Sequence, residues 1–288
     1  MADPLSANRF HVQWADVARR RGRYTWGRAD RAYRAMQAYA AQPVMLLYNA
    51  PEWARDPDAR CRSEVCAYPP RPKYDHRWRQ FVRAAVSRYP GVRAVEIWNE
   101  PNLSRFWAPR PDPRRYATLL RLAHDAVVEV NPSVPVLVGG LIPTYGGGGS
   151  IPADHFLREV YAEAGAAAFE GIGTHPYPRQ APFVETMWRS LDALRAVRLA
   201  YGDGATPLWI TEVGISTHAR SGVTLDQQGD VLIELYRSIQ GHDVSSFVIH
   251  RFQVGAEGGY WNQTALVSRD LTPKPAYCEL GAALGLPC

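Results

Sequence analysis

Seven short strand-like runs recur along this 288-residue chain, the first alternating, near residues 9–13, and the others largely apolar, near 43–48, 93–99, 134–139, 169–175, 207–212 and 245–252. A run such as Pro43-Val-Met-Leu-Leu-Tyr48, apolar throughout instead of alternating, is the pattern of a strand buried on both faces, as in a parallel sheet covered by helices. Stretches of helical periodicity separate the runs: 27–41, 75–89, 113–131, 152–164, 186–201 and 226–240. In the second of these, Trp78, Phe81, Val82 and Ala85 recur on one face. Strand–helix alternation of this kind implies right-handed βαβ units. Polar and aromatic residues gather just after the runs, at Asn49-Ala-Pro-Glu-Trp53, Asn99-Glu100-Pro101 and Gly173-Thr-His-Pro-Tyr-Pro178. The C-terminal mouth of a TIM barrel is where such residues belong. A doubly wound sheet also alternates, but no glycine fingerprint for a dinucleotide is present. The expected fold is α/β, a (β/α)8 barrel formed by residues 1–288 as one domain, with its first strand and helix lacking.

The sharpest signals are two strand ends. Val92-Arg-Ala-Val-Glu-Ile-Trp-Asn-Glu-Pro101 and Pro207-Leu-Trp-Ile-Thr-Glu-Val-Gly-Ile215 each deliver a glutamate, Glu100 and Glu212, where an apolar run stops. Pro101 donates no N–H and ends the first ladder. As the third and sixth runs, the two strands face each other across a barrel. Two carboxylates so placed are the equipment of glycoside hydrolysis, one donating a proton and the other attacking or activating water. The glycine run 146–149 lacks the lysine and hydroxyl of a phosphate cradle and reads as a loop.

Composition removes other readings. The net charge of +5 suggests an anionic partner, yet all but two of the 33 basic residues are arginines scattered along the chain. A nucleic-acid footprint would cluster, so none is expected. No run is long and apolar enough for a membrane span, and Met1-Ala-Asp-Pro-Leu-Ser-Ala lacks the apolar core of a signal peptide. The four cysteines form two close pairs, Cys61/Cys66 and Cys278/Cys288, without zinc spacing. Two local disulfides in an oxidising extracellular or cell-envelope compartment are the favoured reading, with free thiols the alternative. No metal ligand set of the HxH kind stands at the strand ends. Neither a metal nor a cofactor is expected, and the chain is expected to act as a monomer.

Motif by motif, the chain resembles the clan A glycoside hydrolases, nearest to family 39 and family 5-like enzymes. Ile97-Trp-Asn-Glu-Pro101 is similar to their acid/base motif, and Trp209-Ile-Thr-Glu-Val-Gly214 to their nucleophile motif. His175 and Tyr177 match a His-x-Tyr strand end, and Pro51 and Trp53 a Pro-x-Trp end. Arg9 with Trp14 and Asp16, followed by Gly22, Tyr24 and Trp26, is similar to the second-strand region. The resemblance implies a retaining enzyme with Glu100 as acid/base and Glu212 as nucleophile. It places Asn99 on the sugar 2-hydroxyl, Tyr177 as the group orienting Glu212, His175 on the same wall and Arg9 beneath the nucleophile. Trp53, Trp107 and Trp261 are candidate sugar platforms. The last strand departs from the pattern, with His250, Arg251 and Phe252 where the family usually places Trp. A barrel missing its first strand would also leave two edges open, between the first and last strands counted here. Set against a retaining glycosidase, the alternative is a catalytically inactive carbohydrate-binding barrel.

Overall fold

In the computed structural model, the residues described are 7–38, 42–61, 63, 65–144, 148–220, 222–255, 259–285 and 288. Seven parallel strands lie side by side in sequence order: β1 Ala7–Gln13, β2 Gln42–Tyr48, β3 Ala94–Asn99, β4 Val136–Leu141, β5 Gly171–Thr174, β6 Leu208–Val213 and β7 Val244–Ile249. Every neighbouring pair is parallel. The helices are α1 Trp14–Val17, α2 Gly27–Ala38, α3 Asp75–Arg88, α4 Pro113–Val130, α5 Ala153–Ala164, α6 Phe183–Ala200, α7 Leu225–Ser238 and α8 Pro275–Ala283. The α/β reading of the sequence therefore stands, with a curled seven-stranded sheet as its frame. The expected helix end at residues 39–41 and glycines 146 and 147 lie outside the described residues.

The core has two parts because most of the strands bury apolar residues on both faces. The outer faces pack against the helices, where Trp14, Trp78, Phe81, Tyr116, Phe156 and Leu232 are buried. Inside the curl is a smaller cluster of Val44, Ala94, Leu137, Trp209 and Val248, drawn from five different strands. Helix boundaries follow local chemistry. Asp112 caps α4 by accepting from Arg115 N at 2.9 Å, ahead of Pro113. Thr224 and Gln227 form a reciprocal capping box at α7, worth about 1 kcal/mol in such settings. One strand is shorter than its apolar run. Residues Ala166–Ala168 turn as a 3-10 segment after Gly165, so β5 begins only at Gly171.

Among the described residues, no ladder joins β1 to β7. A cavity of about 530 Å³ occupies the seam, lined in part by Arg9, His11, Glu212, His250 and Phe252. Both cysteine pairs are bridged, with Cα separations of 6.3 Å for Cys61–Cys66 and 4.5 Å for Cys278–Cys288.

Candidate active site

The site starts where a strand breaks its own rule. Successive side chains of a strand face opposite ways, so Asn99 and Glu100 ought not to reach one cleft. Trp98 and Glu100 have φ values of 76° and 42°, a region bulky residues enter only when their surroundings hold them there. The turn sends the Trp98 indole outward, where Nε1 donates to the Phe106 carbonyl at 2.6 Å and the ring meets Trp78 and Trp107. Asn99 and Glu100 are then both delivered inward. Tyr116 of α4 supports the break. Its hydroxyl donates to the Ile97 carbonyl at 2.8 Å and accepts from the Gly139 N–H at 2.7 Å. It thereby fills the step that the β3–β4 register skips between Ile97↔Val138 and Asn99↔Gly140.

Arg9, its side chain 3 % exposed, ties three groups together from β1. Its guanidinium donates to Glu96, to Glu212 Oε1 and, at 2.9 Å, to Asn99 Oδ1. Glu96 is fully buried and also accepts from Thr211 Oγ1 at 2.7 Å. The remaining oxygen of Glu212 accepts from the Tyr177 hydroxyl at 2.9 Å. Burial pushes the Glu212 carboxyl up, but the positive fields of His175, Arg9, His250 and His11 outweigh it and hold it below its ordinary value. Burial, with Arg9 alongside, pulls His11 down to about 3. His11 is therefore neutral at neutral pH, whereas Arg9 stays cationic beside Glu212. Burial, reinforced by Glu212 and Glu100, raises the Tyr177 hydroxyl well above its usual value and keeps it a donor.

Glu100, at the end of β3, has both oxygens engaged. Oε1 lies 3.0 Å from His175 Nδ1, and Oε2 accepts from Arg105 Nη2 at 3.1 Å. The same His175 nitrogen stands 3.7 Å from Glu212 Oε2. One ligand atom from each of Glu100, His175 and Glu212 lies within 4.8 Å of the others. Such a trio has the spacing of a metal site. Here, however, Arg9 and Arg105 already balance the two carboxylates, an arrangement that suits proton transfer better than a divalent ion. The buried imidazole lies over Gly140, where a Cβ would stand 2.0 Å from Nε2. Only glycine admits the ring.

Of the nine residues expected at the site, Glu100, Glu212, Arg9, Asn99, His175 and Tyr177 come together: Arg9, Glu212, Asn99 and Tyr177 in one hydrogen-bonded group, and Glu100 with His175 in another, joined by the 3.7 Å contact of His175 with Glu212. Trp261 joins its edge, with its ring centroid 4.9 Å from that of Tyr177. Trp53 is half-buried, donates to the Ala18 carbonyl at 2.8 Å and packs edge-on against Trp14 and Tyr74. Trp107 corrects the expectation. It is 1 % exposed and wedged between Trp98 and Tyr116, with no face left for a sugar. The outward turn of Trp98 creates the aromatic nest that takes it. Sequence reasoning missed Glu96 and Arg105. An acid in the middle of an apolar strand was the available signal for the first; Arg105, in a loop rich in arginine, offered none.

No protein-family profile matches the chain. Over 123 residues it is 30% identical to a β-xylosidase of Geobacillus stearothermophilus, covering 40% of this chain and 23% of that protein. A family 39 β-xylosidase structure from Caulobacter crescentus superposes with a TM-score of 0.74 at 21% identity, over 98% of this chain and 64% of that one. A family 39 glycoside hydrolase from Bacteroides cellulosilyticus gives 0.73 at 21%, over 97% and 57%. Xylanase B from Clostridium stercorarium gives 0.59 at 17%, over 95% and 89%. The chain thus spans about a quarter of the curated relative and less than two thirds of the two family 39 structures. The resemblance to clan A glycoside hydrolases near family 39 is borne out in the fold.

Proposed function

We propose that the chain is the catalytic domain of a retaining glycoside hydrolase that cleaves O-glycosidic bonds, β-linked ones, in a poly- or oligosaccharide by double displacement. The observation that carries this reading is the pairing of Glu100 and Glu212, with carboxylate oxygens within 4.8 Å of each other, Glu212 facing a buried arginine and Glu100 a partly exposed one. Retaining enzymes hold their two carboxyl groups ~5–5.5 Å apart, whereas inverting ones leave ~6.5–9.5 Å for a water. Glu212, kept ionised by Arg9 and Tyr177, is the nucleophile. Glu100, which carries no buried arginine, is the acid that protonates the leaving oxygen and then the base that activates water. Asn99, fixed through its Oδ1 by Arg9, presents its amide N–H to the sugar 2-hydroxyl, a contact that strengthens in the transition state. His175 positions both carboxylates through one nitrogen, and Trp261 offers a ring to the sugar. The paired cysteines favour an oxidising, extracellular or cell-envelope setting, and the substrate is carbohydrate handled by a monomer.

Hydrolysis of aryl β-glycosides with retention of anomeric configuration is the direct test. Saccharide binding with no turnover across a broad panel would instead identify a non-catalytic carbohydrate-binding barrel. The acid role has its own signature. In Glu100→Ala, turnover of a substrate with an alkoxide-like leaving group should fall by ~10²–10⁴-fold, the usual contribution of a general acid. A dinitrophenyl glycoside, which needs no proton to depart, should keep a near-normal first step. Equal losses on both substrates would remove Glu100 from that role.

Tyr177→Phe tests the nucleophile's support. Hydrogen bonds to charged groups are worth about 1.5–3 kcal/mol, so kcat/KM should drop by roughly ten- to a hundredfold. Loss of the donor raises the Glu212 carboxyl, and a nucleophile must be ionised to attack. The acidic limb of kcat/KM should therefore move to higher pH, as read from a pH–rate profile; an unmoved limb would leave Tyr177 a merely structural role.

A further inference from the structure

A second cavity, of about 570 Å³, is lined by Arg60, Cys61, Ser63, Ser104, Arg105 and Pro109 along with Gly148, and Arg105 links its wall to Glu100. Two chain segments are stitched together to make it. Ala67 N–H donates to the Arg105 carbonyl at 2.9 Å, Ala108 N–H to the Ala67 carbonyl at 2.9 Å, and the Cys61–Cys66 bridge closes one segment. Among the described residues, its lining carries two guanidinium groups and no carboxylate. Arg60 is braced by the carbonyls of Pro57 and Ala59, at 2.8 and 3.3 Å. Arg105 lies over the Phe106 ring, 4.7 Å from its centroid, and reaches Glu100 Oε2 with its tip.

That contact is awkward for an acid catalyst. A guanidinium has donors and no acceptor, so the oxygen it faces has no room for a proton. Glu100 Oε1 is meanwhile held by His175 Nδ1. For Glu100 to carry and give a proton to the leaving oxygen, Arg105 has to release Oε2. Its side chain is 38% exposed, and a half-exposed ion pair of this kind is weak and readily exchanged. A neutral sugar offers the released guanidinium only uncharged hydroxyl acceptors. A carboxylate gives it a two-oxygen partner matched to its fork, and Arg60 adds a second positive charge to the same space.

We propose that this cavity is the leaving-group subsite and that it takes a uronic acid, whose carboxylate draws Arg105 away from Glu100 and frees the acid to protonate. The subsite rests on the acid/base reading of Glu100, yet its occupancy is measurable without turnover. Methyl β-glucuronide and methyl β-glucoside, which differ at C6 alone, would be titrated into the protein by calorimetry or ligand-observed NMR at physiological salt. The glucuronide should bind at least ~10-fold more tightly. Arg60→Met and Arg105→Met should each abolish most of that preference, while Arg110→Met, a nearby exposed arginine outside the cavity lining, should keep it. On an aryl β-glycoside with a poor neutral leaving group, Arg105→Met should also raise kcat/KM, because Glu100 Oε2 is then free to carry the proton it gives. Equal binding of the two glycosides, or a preference that survives both cavity substitutions, overturns the proposal even if the enzyme hydrolyses aryl glycosides. Selective binding lost in both variants supports the subsite even if no substrate is turned over, in which case only the glycosidase reading falls.

Discussion

Truncating Glu212 to alanine should lower kcat on aryl β-glycosides by roughly 10⁴-fold or more, the scale seen when a covalent nucleophile is removed. Four powers of ten correspond to about 5.4 kcal/mol of lost transition-state stabilisation. The expectation comes from geometry. Glu212 is the carboxylate with a buried guanidinium on one oxygen and a phenol on the other, poised as an anion before substrate arrives. A small anion such as azide, entering the space the side chain vacates, should restore turnover. It should also yield a glycosyl azide of inverted configuration, because one displacement then replaces two. Product configuration read by NMR decides the matter. Water attack with unchanged retention and a loss under tenfold would exclude Glu212 as nucleophile.

Arg9→Met should be the most destabilising substitution in the site. Glu96 is fully buried and relies on Arg9 for its countercharge, and breaking a buried pair by removing one partner costs about 3–5 kcal/mol. Against the 5–15 kcal/mol that hold a typical domain together, the urea midpoint should fall sharply. Arg9→Met/Glu96→Leu should recover much of that loss, since it leaves no lone charge beneath the sheet. A double variant as unstable as the single one would show that packing, not charge, is at stake. The pH dependence follows with its sign. Glu212 lies below its ordinary value of 4.5 in the folded protein. Its contribution is therefore present above that pH and withdrawn as pH falls below it. Loss of Arg9 should flatten this acid-side slope.

Much of this site was legible before any coordinates. Most of the runs were readable as strands because burial on both faces leaves no polar alternation, and the abrupt passage from Trp98 to Asn99-Glu100-Pro101 marked a strand end. Glu100 and Glu212 could be paired because the third and sixth strands of a curled parallel sheet look at each other. What remained hidden depends on three-dimensional coincidence. Glu96 sat within a stretch that read as apolar, and its meaning depends on a guanidinium 87 residues away. Trp107 follows Phe106 in a loop and looked available to a sugar; the left-handed turn at Trp98, invisible in residue types alone, buries it. Arg105 is one of many arginines until the backbone brings its tip to Glu100. Strand existence is written in local pattern, while the pairing of buried charges is written in the way strands curl.

The seam between β1 and β7 gives Arg9 a mechanical meaning beyond its charge. Among the described residues β1 is paired along one side only, to β2, and the Arg9 guanidinium fastens it across the interior to β3 and β6. If Glu212 is esterified by a sugar during turnover, its negative charge disappears and one strand of that fastening goes slack, to be drawn tight again when water releases the sugar. Each catalytic cycle would then load and unload the edge of the sheet, so that the margin of the fold beats in time with the chemistry at its centre.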